Sequence, residues 1–461
     1  MLPDVPLLVI FDFYLHKSGG IEAWRTLVHV CLKWRNLVFR SPHRFNLRLV
    51  CTARRPVREM LGIWPPLPIV ITPYGLSKTS TLAADNIIAA LERNDRIHRV
   101  ELWELSSSLL DEALAVMQGP FPVLTDMDLR CDEGEIAPVV SDSFLGGFAP
   151  RLRKLSLERI PFPGLPTLLL SATDLVEISL WHIPHSGYIS PSAMVNCLST
   201  LNRLRSLCLL FETSLHDRDS RPPPPPTRFV LPSLAHFEFK GASDYLEDFL
   251  ASIDAPLLEH LAIGFFHQLI FDTPQLAQFV SRTPRLEAYD EAHLAFSNGS
   301  VEVTFRPTID RGVRLEISCK QPNWQLSSLA QVCSASFPQA FITVVEHLYI
   351  REVVYSPPDW QDDIENNQWL EFLHPFTALK NLYLSREIVP RMGPALRELA
   401  GASMAAVLPA LQNVCLESQS WPSESGQEIH RQFFDGQTLS SRPIGICDWD
   451  GERCMWWIVR D

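Results

Sequence analysis

A short pattern recurs along this chain and constrains its fold more than any other feature. Each copy has a leucine or valine, two residues of any kind, and then two apolar residues separated by one other. Five copies also carry a proline two positions before the leucine: FPVLTDMDL (121–129), APRLRKLSL (149–157), LPSLAHFEF (231–239), APLLEHLAI (255–263) and LPALQNVCL (408–416). Others lack the proline: HRVELWE (98–104), DLVEISL (174–180), RLRSLCL (203–209), VEHLYI (345–350) and ALKNLYL (378–384). A blurred copy, TPRLEAYDE (283–291), has Glu291 at the last apolar place.

The copies follow one another at regular spacing. Their last apolar position moves from residue 102 to 129, 157, 180, 209, 239 and 263, in steps of 23 to 30 residues. Because 46% of the residues are apolar, a single copy of the pattern can arise by chance. Copies repeated at this spacing are typical of a leucine-rich solenoid. The final triplet supplies the inward side chains of a short strand, and the proline ends the segment that returns to it.

The fold class predicted from this pattern is α/β, an irregular leucine-rich-repeat solenoid with parallel strands on the concave side and helices or loops on the convex side. Helical spacing occurs between strands, for example in DYLEDFLASI (244–253) and PQLAQFVSRT (274–283). A doubly wound α/β domain is the alternative, since it also alternates strands and helices. Residues 264–344 break the rhythm, and SVEVTF (300–305) and VRLEISCK (313–320) fit either degenerate repeats or an insertion.

Composition indicates a soluble protein with a large core. No stretch of the 461 residues approaches the 18 uninterrupted apolar residues of a membrane span. The apolar start is interrupted by Asp4 and Asp12 and has no basic residue before it, which argues against a secretion signal. Ten scattered cysteines with no CxxC pair favour reduced thiols over disulfides or zinc. We therefore expect a cytoplasmic or nuclear location.

Motifs for catalysis are missing or incomplete. The chain has no GxGxxG, no phosphate-binding GxxxxGK[ST] and no HExxH. Ser403 in GASMA (401–405) lacks the closing glycine of a nucleophile elbow, and His182 and His185 have no third metal ligand nearby in sequence. We expect no enzymatic activity, no cofactor and no metal site.

Charge divides the chain into two parts. Residues 1–60 carry a net charge of +6 and residues 61–461 a net charge of −19. The first part lacks the aromatic pattern and recognition-helix layout that would support nucleic-acid binding, and an acidic protein surface fits its charge equally well. The acidic remainder is suited to a basic partner.

The first 50 residues have helical apolar spacing. In LPDVPLLVIFDFYL (2–15) apolar residues lie three and four positions apart, and the same spacing continues in IEAWRTLVHVCLKWRNLVF (21–39). Ser41-Pro42 ends the second stretch. Two or three helices of this length bury too little to be stable alone, so they should pack on the solenoid and on a partner.

Four short motifs in this segment resemble those of an F-box. They are the leading LP, the LL-x-IF of residues 7–11, the V-C-x-x-W of residues 30–34 and the following S-P. Residues 2 to about 72 resemble the F-box-like domain-containing proteins of mushroom-forming (basidiomycete) fungi. The resemblance implies a three-helix F-box that docks on a Skp-type adaptor, and through it on a cullin, while the repeats bind a protein substrate. The adaptor-binding residues that it implies are Leu2, Pro3, Leu7, Leu8, Ile10, Phe11, Leu27, Val30, Cys31 and Trp34.

The expected organisation has four parts. They are an F-box at residues 1–50, a connecting segment with the first solenoid elements at 51–95, the solenoid at 96–440, and a C-terminal hairpin cap at 441–461. A Pro-rich loop near 220–228 contains Pro222 to Pro226, and Asp450-Gly451 would turn the hairpin. The predicted function is a non-catalytic substrate-recognition adaptor of a ubiquitin ligase, without nucleic-acid or membrane partners. The alternative is a leucine-rich-repeat scaffold with no ligase role.

Overall fold

The chain divides into two compact units, one of residues 1–189 with 196–204 and one of residues 190–195 with 205–461. The computed structural model describes residues 3–20, 22–54, 56–72, 81–213, 228–266, 271–286, 289–308, 311–319, 322–336, 339–353, 355–358, 365–399, 407–417 and 444–449. Of the residues singled out from the sequence, Leu2, Pro222 to Pro226, Ser403, Asp450 and Gly451 lie outside these ranges.

The first unit begins with three helices and continues with strands that alternate with helices or turns. In its described residues the unit has six strands, and each of the first five pairs in parallel with the next one in sequence. Its elements are α1 (Asp4–Ser18), α2 (Trp24–Val28), α3 (Leu32–Phe39), β1 (Leu49–Cys51), α4 (Val57–Ile63), β2 (Ile69–Ile71), α5 (Thr81–Leu91), β3 (Ile97–Leu105), α6 (Ser107–Val116), β4 (Asp126–Cys131), β5 (Lys154–Glu158), α7 (Leu165–Ser171) and β6 (Glu177–Ile183).

The second unit also contains a large sheet, most of it parallel. Helix α8 (Pro191–Leu198) contributes residues to both units. The other elements of this unit are β7 (Ser206–Phe211), β8 (Phe229–Val230), β9 (His236–Gly241), α9 (Ser243–Ala251), β10 (Ile253–Asp254), β11 (His260–Phe266), α10 (Pro274–Ser281), β12 (Glu291–Phe296), β13 (Ser300–Thr308), β14 (Arg311–Ser318), α11 (Pro322–Ser336), α12 (Gln339–Ile342), β15 (His347–Glu352), α13 (Asn366–Leu373), β16 (Asn381–Leu384), α14 (Val389–Leu399), β17 (Asn413–Glu417) and β18 (Gly445–Trp449).

The repeat pattern predicts the strands and the core. Leu102, Leu129, Leu157 and Leu180 are aligned side by side on β3 to β6, and all four are buried. The leucine three residues before each final pair is buried as well, as at Leu152. A row of equivalent apolar residues therefore runs through the core of the unit, as expected when each repeat covers the apolar face of its neighbour. The mixed α/β arrangement with large parallel sheets is consistent with a leucine-rich-repeat-like solenoid.

The break in the repeat contains three strands that run in alternating directions. β12 pairs antiparallel with β13, and β13 pairs antiparallel with β14. At the two outer edges of this meander, β14 pairs in parallel with β11 and β12 with β15. SVEVTF and VRLEISCK are thus strands of the sheet, but their antiparallel pairing makes them an insertion rather than two ordinary repeats. In the blurred copy TPRLEAYDE the strand starts only at the last residue, Glu291, because Ala292, Leu294 and Phe296 are the residues that alternate into the core.

The C-terminal described strand, β18, pairs in parallel with β17. It therefore continues the sheet in the manner of the repeats. The second strand of the predicted hairpin falls outside the described residues.

One expectation about cysteine is wrong. Cys415 on β17 and Cys447 on β18 lie opposite each other, with Cα atoms 4.6 Å apart, and are joined by a disulfide. Their separation of 32 residues in sequence hid the pairing, which arises only when the strands align. Cys31, Cys51, Cys131, Cys197, Cys208, Cys319 and Cys333 are not joined in disulfides. The cytoplasmic or nuclear location, inferred partly from reduced thiols, remains a prediction.

Within the described ranges, the helices lack the combination of length and apolar content that crossing a bilayer would require.

Candidate interaction surfaces

The three N-terminal helices share a small aromatic core. Phe11 on α1 is fully buried, and its ring centroid lies 4.7 Å from that of Trp34 on α3 and 6.1 Å from that of Phe45. Leu7 on α1 and Leu27 on α2 are also buried. These side chains hold the helices together, so they do not belong to an exposed surface.

Trp24 fixes the three helices to the rest of the first unit. Its indole Nε1 donates a hydrogen bond to the carbonyl oxygen of Arg48, 3.1 Å away, just before β1. Its ring packs edge-on against Trp64, which follows α4, with centroids 5.2 Å apart. The backbone N–H of Val50 on β1 donates to Glu22 Oε1 at 3.2 Å. The helical segment is therefore attached to the first strand by both packing and hydrogen bonds.

The outer face of α1 is apolar and open. Val5 is 72% exposed and Phe13 is 77% exposed, and the other large apolar residues of this face are Val9, Ile10 and Tyr14. Because Leu7 and Phe11 fill the inner side, apolar residues occur all round the helix. A helix of this kind is normally covered on every side.

A second exposed apolar group lies at the α2–α3 junction. Val30 and Leu32 are exposed there, with Cys31 between them. The Nζ atom of the adjacent Lys33 lies 3.0 Å from Asp4 Oδ1, an ion pair that brings this junction to the first turn of α1. We call the outer face of α1 (Val5, Val9, Ile10, Phe13 and Tyr14) together with Val30 and Leu32 the N-terminal apolar surface.

The adaptor-binding residues inferred from the F-box resemblance are therefore divided. Pro3, Ile10, Val30 and Cys31 are exposed, Leu8 and Trp34 are half-buried, and Leu7, Phe11 and Leu27 are buried. The sequence did not indicate that Val5, Val9, Phe13 and Leu32 also belong to the exposed surface. The apolar character of residues 5–15, interrupted only by Asp12, is the signal that could have indicated them, because one side of such a helix must face outward.

A hollow of about 470 Å³ lies on the face of the first unit's sheet that carries the outward side chains of β3 to β6. Its lining alternates charged and small residues, with one tryptophan at the β6 edge. The polar and aromatic residues that line it are Arg99, Glu101, Asp126, Asp128, Arg130, Lys154, Ser156, Glu158, Glu177, Ser179 and Trp181.

Ion pairs organise the walls of this hollow. Arg99 Nη2 lies 2.6 Å from Glu101 Oε1, and Lys154 Nζ lies 2.8 Å from Glu177 Oε2. Arg130 Nη2 lies 2.9 Å from Asp128 Oδ2. Burial raises the pKa of the Glu101 carboxyl, and the negative charges of Asp128 and Asp126 act in the same direction, although Arg99 opposes them. Burial is therefore the main reason that this pKa is raised, while charges of both signs lie nearby.

The second unit has its own charged network on the outward side of its sheet. Lys240 Nζ on β9 lies 3.1 Å from Glu316 Oε1 on β14. Strand β11 lies between them. Its Gly264 has no side chain that could obstruct Lys240, and a Cβ added at Gly264 would lie 3.0 Å from the Cγ of that lysine. Arg314 Nη2 lies 2.8 Å from Glu302 Oε2. This network is paired internally, which favours a structural role.

The two histidines of the HxxH pair lie around the end of β6. His182 is the next-to-last residue of β6 and has a left-handed backbone conformation, and His185 begins a short 3-10 turn. In the parts of the chain that the structure describes, no cluster of three or more His, Cys, Asp or Glu residues is arranged to hold a metal ion.

No protein-family model and no curated protein matches this chain. Among solved structures, the leucine-rich repeat-containing protein LegL7 from Legionella pneumophila is similar to it at 13% sequence identity, over 86% of this chain and 99% of that chain. The TM-score is 0.28. A similarity this distant does not establish a shared fold or function, so the repeat architecture rests on the strand pairing and buried residues of this chain itself.

Proposed function

We propose that the chain is a non-catalytic substrate-recognition adaptor of a Skp/cullin/F-box type ubiquitin ligase. The N-terminal apolar surface binds a Skp-type adaptor, which connects the chain to a cullin, and an outward sheet face binds the protein substrate. Ubiquitin transfer is performed by other subunits.

The observation that carries this proposal is the exposed outer face of α1. Soluble proteins rarely expose contiguous large apolar side chains unless another molecule covers them. In this chain they coincide with the segment whose LP, LL-x-IF and V-C-x-x-W motifs resemble an F-box. The net positive charge of residues 1–60 suits an acidic partner surface and would accelerate association with it.

A second function is favoured by the attachment of the helices to β1. Trp24 and Glu22 bind the backbone next to and within the first strand, as the cap of a repeat array would. The alternative is therefore a repeat-based interaction scaffold whose N-terminal helices serve only as a cap. The two functions differ in one respect, namely whether a Skp-type adaptor binds.

The test is calorimetric titration of the full chain with a purified fungal Skp-type adaptor, comparing the wild type with an Ile10→Asp/Phe13→Asp variant. Phe13 is 77% exposed and Ile10 is 47% exposed, so the variant should fold, but each aspartate would lose its hydration in the complex. Central apolar contacts of this kind often contribute about 2 kcal/mol each, so we expect affinity to fall on the order of 100-fold or more.

The matched control is Ile63→Asp/Ile136→Asp in the same unit. Ile63 is 74% exposed and Ile136 is 90% exposed, and both lie outside the N-terminal apolar surface. The control should bind the adaptor like the wild type and have the same melting temperature as the test variant. Absence of binding by the folded wild-type chain would favour the scaffold, and equal binding by both variants would refute the proposed docking face.

A further inference from the structure

The hollow on β3 to β6 owes its depth to two small residues in one row of the sheet. Ser156 on β5 and Ser179 on β6 are aligned partners, and the rows on either side carry longer side chains. One neighbouring row contains Lys154 and Glu177, and the other contains Glu158 and Trp181. The hollow is therefore part of the sheet's regular surface and not a gap between loops.

The floor of the hollow presents hydrogen-bonding groups without partners. Neither the Ser156 hydroxyl nor the Ser179 hydroxyl makes a side-chain hydrogen bond to another described residue. Ser179 is only 9% exposed and lines the hollow. Because the Ser179 side chain lines the hollow, its hydroxyl is available to a group that enters from outside.

The charge of the lining indicates the sign of that group. Among the lining residues there are three cations, Arg99, Arg130 and Lys154, against five carboxylates, Glu101, Asp126, Asp128, Glu158 and Glu177. Arg159, next to the hollow, pairs with Glu158 and offsets one of them. One carboxylate remains in excess, so the net charge around the hollow is negative.

The edge of the hollow favours a cation on a flexible stem. Trp181 lies beside Glu158 at this edge. On the same surface the Arg130 guanidinium lies 4.9 Å from the ring centroid of Trp103, which is a cation–π contact of the kind that Trp181 could offer to a ligand. The volume lies within the range of about 300–1,000 Å³ that is usual for pockets that enclose drug-sized ligands, so more than one side chain can enter.

We propose that this hollow seats a lysine or arginine side chain of an extended segment of the protein substrate. The cation lies over Ser156 and Ser179, its N–H groups donate to their hydroxyls and to Asp128, and its stem packs on Trp181. The inference depends on the proposed function only in identifying the partner as a substrate.

The experiment is selection of short random peptides from a display library on the immobilised full chain, without any adaptor present. Recovered peptides should be enriched in lysine and arginine relative to the starting library. Their affinity should fall on the order of tenfold or more for Ser156→Arg, because the new guanidinium occupies the hollow. The affinity of the peptides should also fall for Asp128→Asn, which removes one carboxylate while leaving the space unchanged. This second variant keeps the inference testable if Ser156→Arg does not fold.

Two controls accompany the selection. Ser156→Ala keeps the hollow open but removes one of the two hydroxyl acceptors, so affinity should fall by less than it does for Ser156→Arg. Glu112→Gln removes an exposed carboxylate on α6, outside the hollow, and should change nothing. Failure to recover peptides, recovery of peptides without excess basic residues, or binding that persists in both Ser156→Arg and Asp128→Asn would each overturn the inference. Because no adaptor takes part, these outcomes are independent of whether the N-terminal apolar surface binds one.

Discussion

Replacing Trp24 with alanine is expected to lower the free energy of unfolding of the first unit by about 3–5 kcal/mol, the usual cost of removing a buried large aromatic side chain. Trp24 is almost fully buried, and it contacts Phe39 and Trp64 with its ring. Its loss also leaves the Arg48 carbonyl without the indole N–H. Urea unfolding followed by circular dichroism measures the change.

Two further variants separate the contributions to this effect. Trp24→Phe keeps an aromatic ring and removes the hydrogen bond, so it should cost markedly less than alanine. Phe13→Ala removes an equally apolar side chain from the exposed outer face of α1, and it should change stability by less than about 0.5 kcal/mol. If Trp24→Ala were no more destabilising than Phe13→Ala, the helices would not be anchored through Trp24 as the structure indicates.

Replacing Glu247 with alanine is expected to destabilise the second unit by about 2–5 kcal/mol, since each unsatisfied buried donor costs about 1–3 kcal/mol. Glu247 lies on α9 and is completely buried. Its carboxylate accepts hydrogen bonds from the backbone N–H groups of Gln275 and Leu276, at 2.7 and 2.9 Å, in the first turn of α10. A carboxylate at this end of a helix also interacts favourably with the helix dipole.

The comparison for Glu247→Ala is Asp244→Asn on the same helix. Asp244 is exposed, so removing its charge should have little effect on the urea midpoint. Glu247→Gln retains one acceptor oxygen and should fall between the wild type and the alanine variant. Equal stability of Glu247→Ala and Asp244→Asn would show that this contact between successive helices does not support the repeat array.

The parts of the fold that depend on local spacing were predictable. Leu129 and Leu157 belong to copies of one pattern, and a strand that alternates inward and outward residues must place them in the core. The meander of β12 to β14 has the same alternation as a parallel strand, so its direction depends on long-range pairing and is invisible in the pattern. The Cys415–Cys447 disulfide is hidden for the same reason.

Three features were harder to infer. Glu247 is a charged residue within an amphipathic helix, a position that normally indicates the solvent side, and its burial depends on the neighbouring repeat. Because apolar residues occur on all sides of α1, the sequence did not indicate which side faces the core. Leu7 and Phe11 could therefore not be distinguished in advance from Val5 and Phe13. Ser156 and Ser179 became significant only when strand register aligned them.

The most direct measurement is hydrogen exchange of the full chain, free and saturated with a Skp-type adaptor, followed on peptides from residues 3–40. Docking on the N-terminal apolar surface should slow exchange in α1 and around residues 30–32, while exchange in α9 and α10 stays unchanged. If a saturating concentration of adaptor left α1 exchange unaltered, its outer face would not be the docking surface and the proposed ligase role would be contradicted.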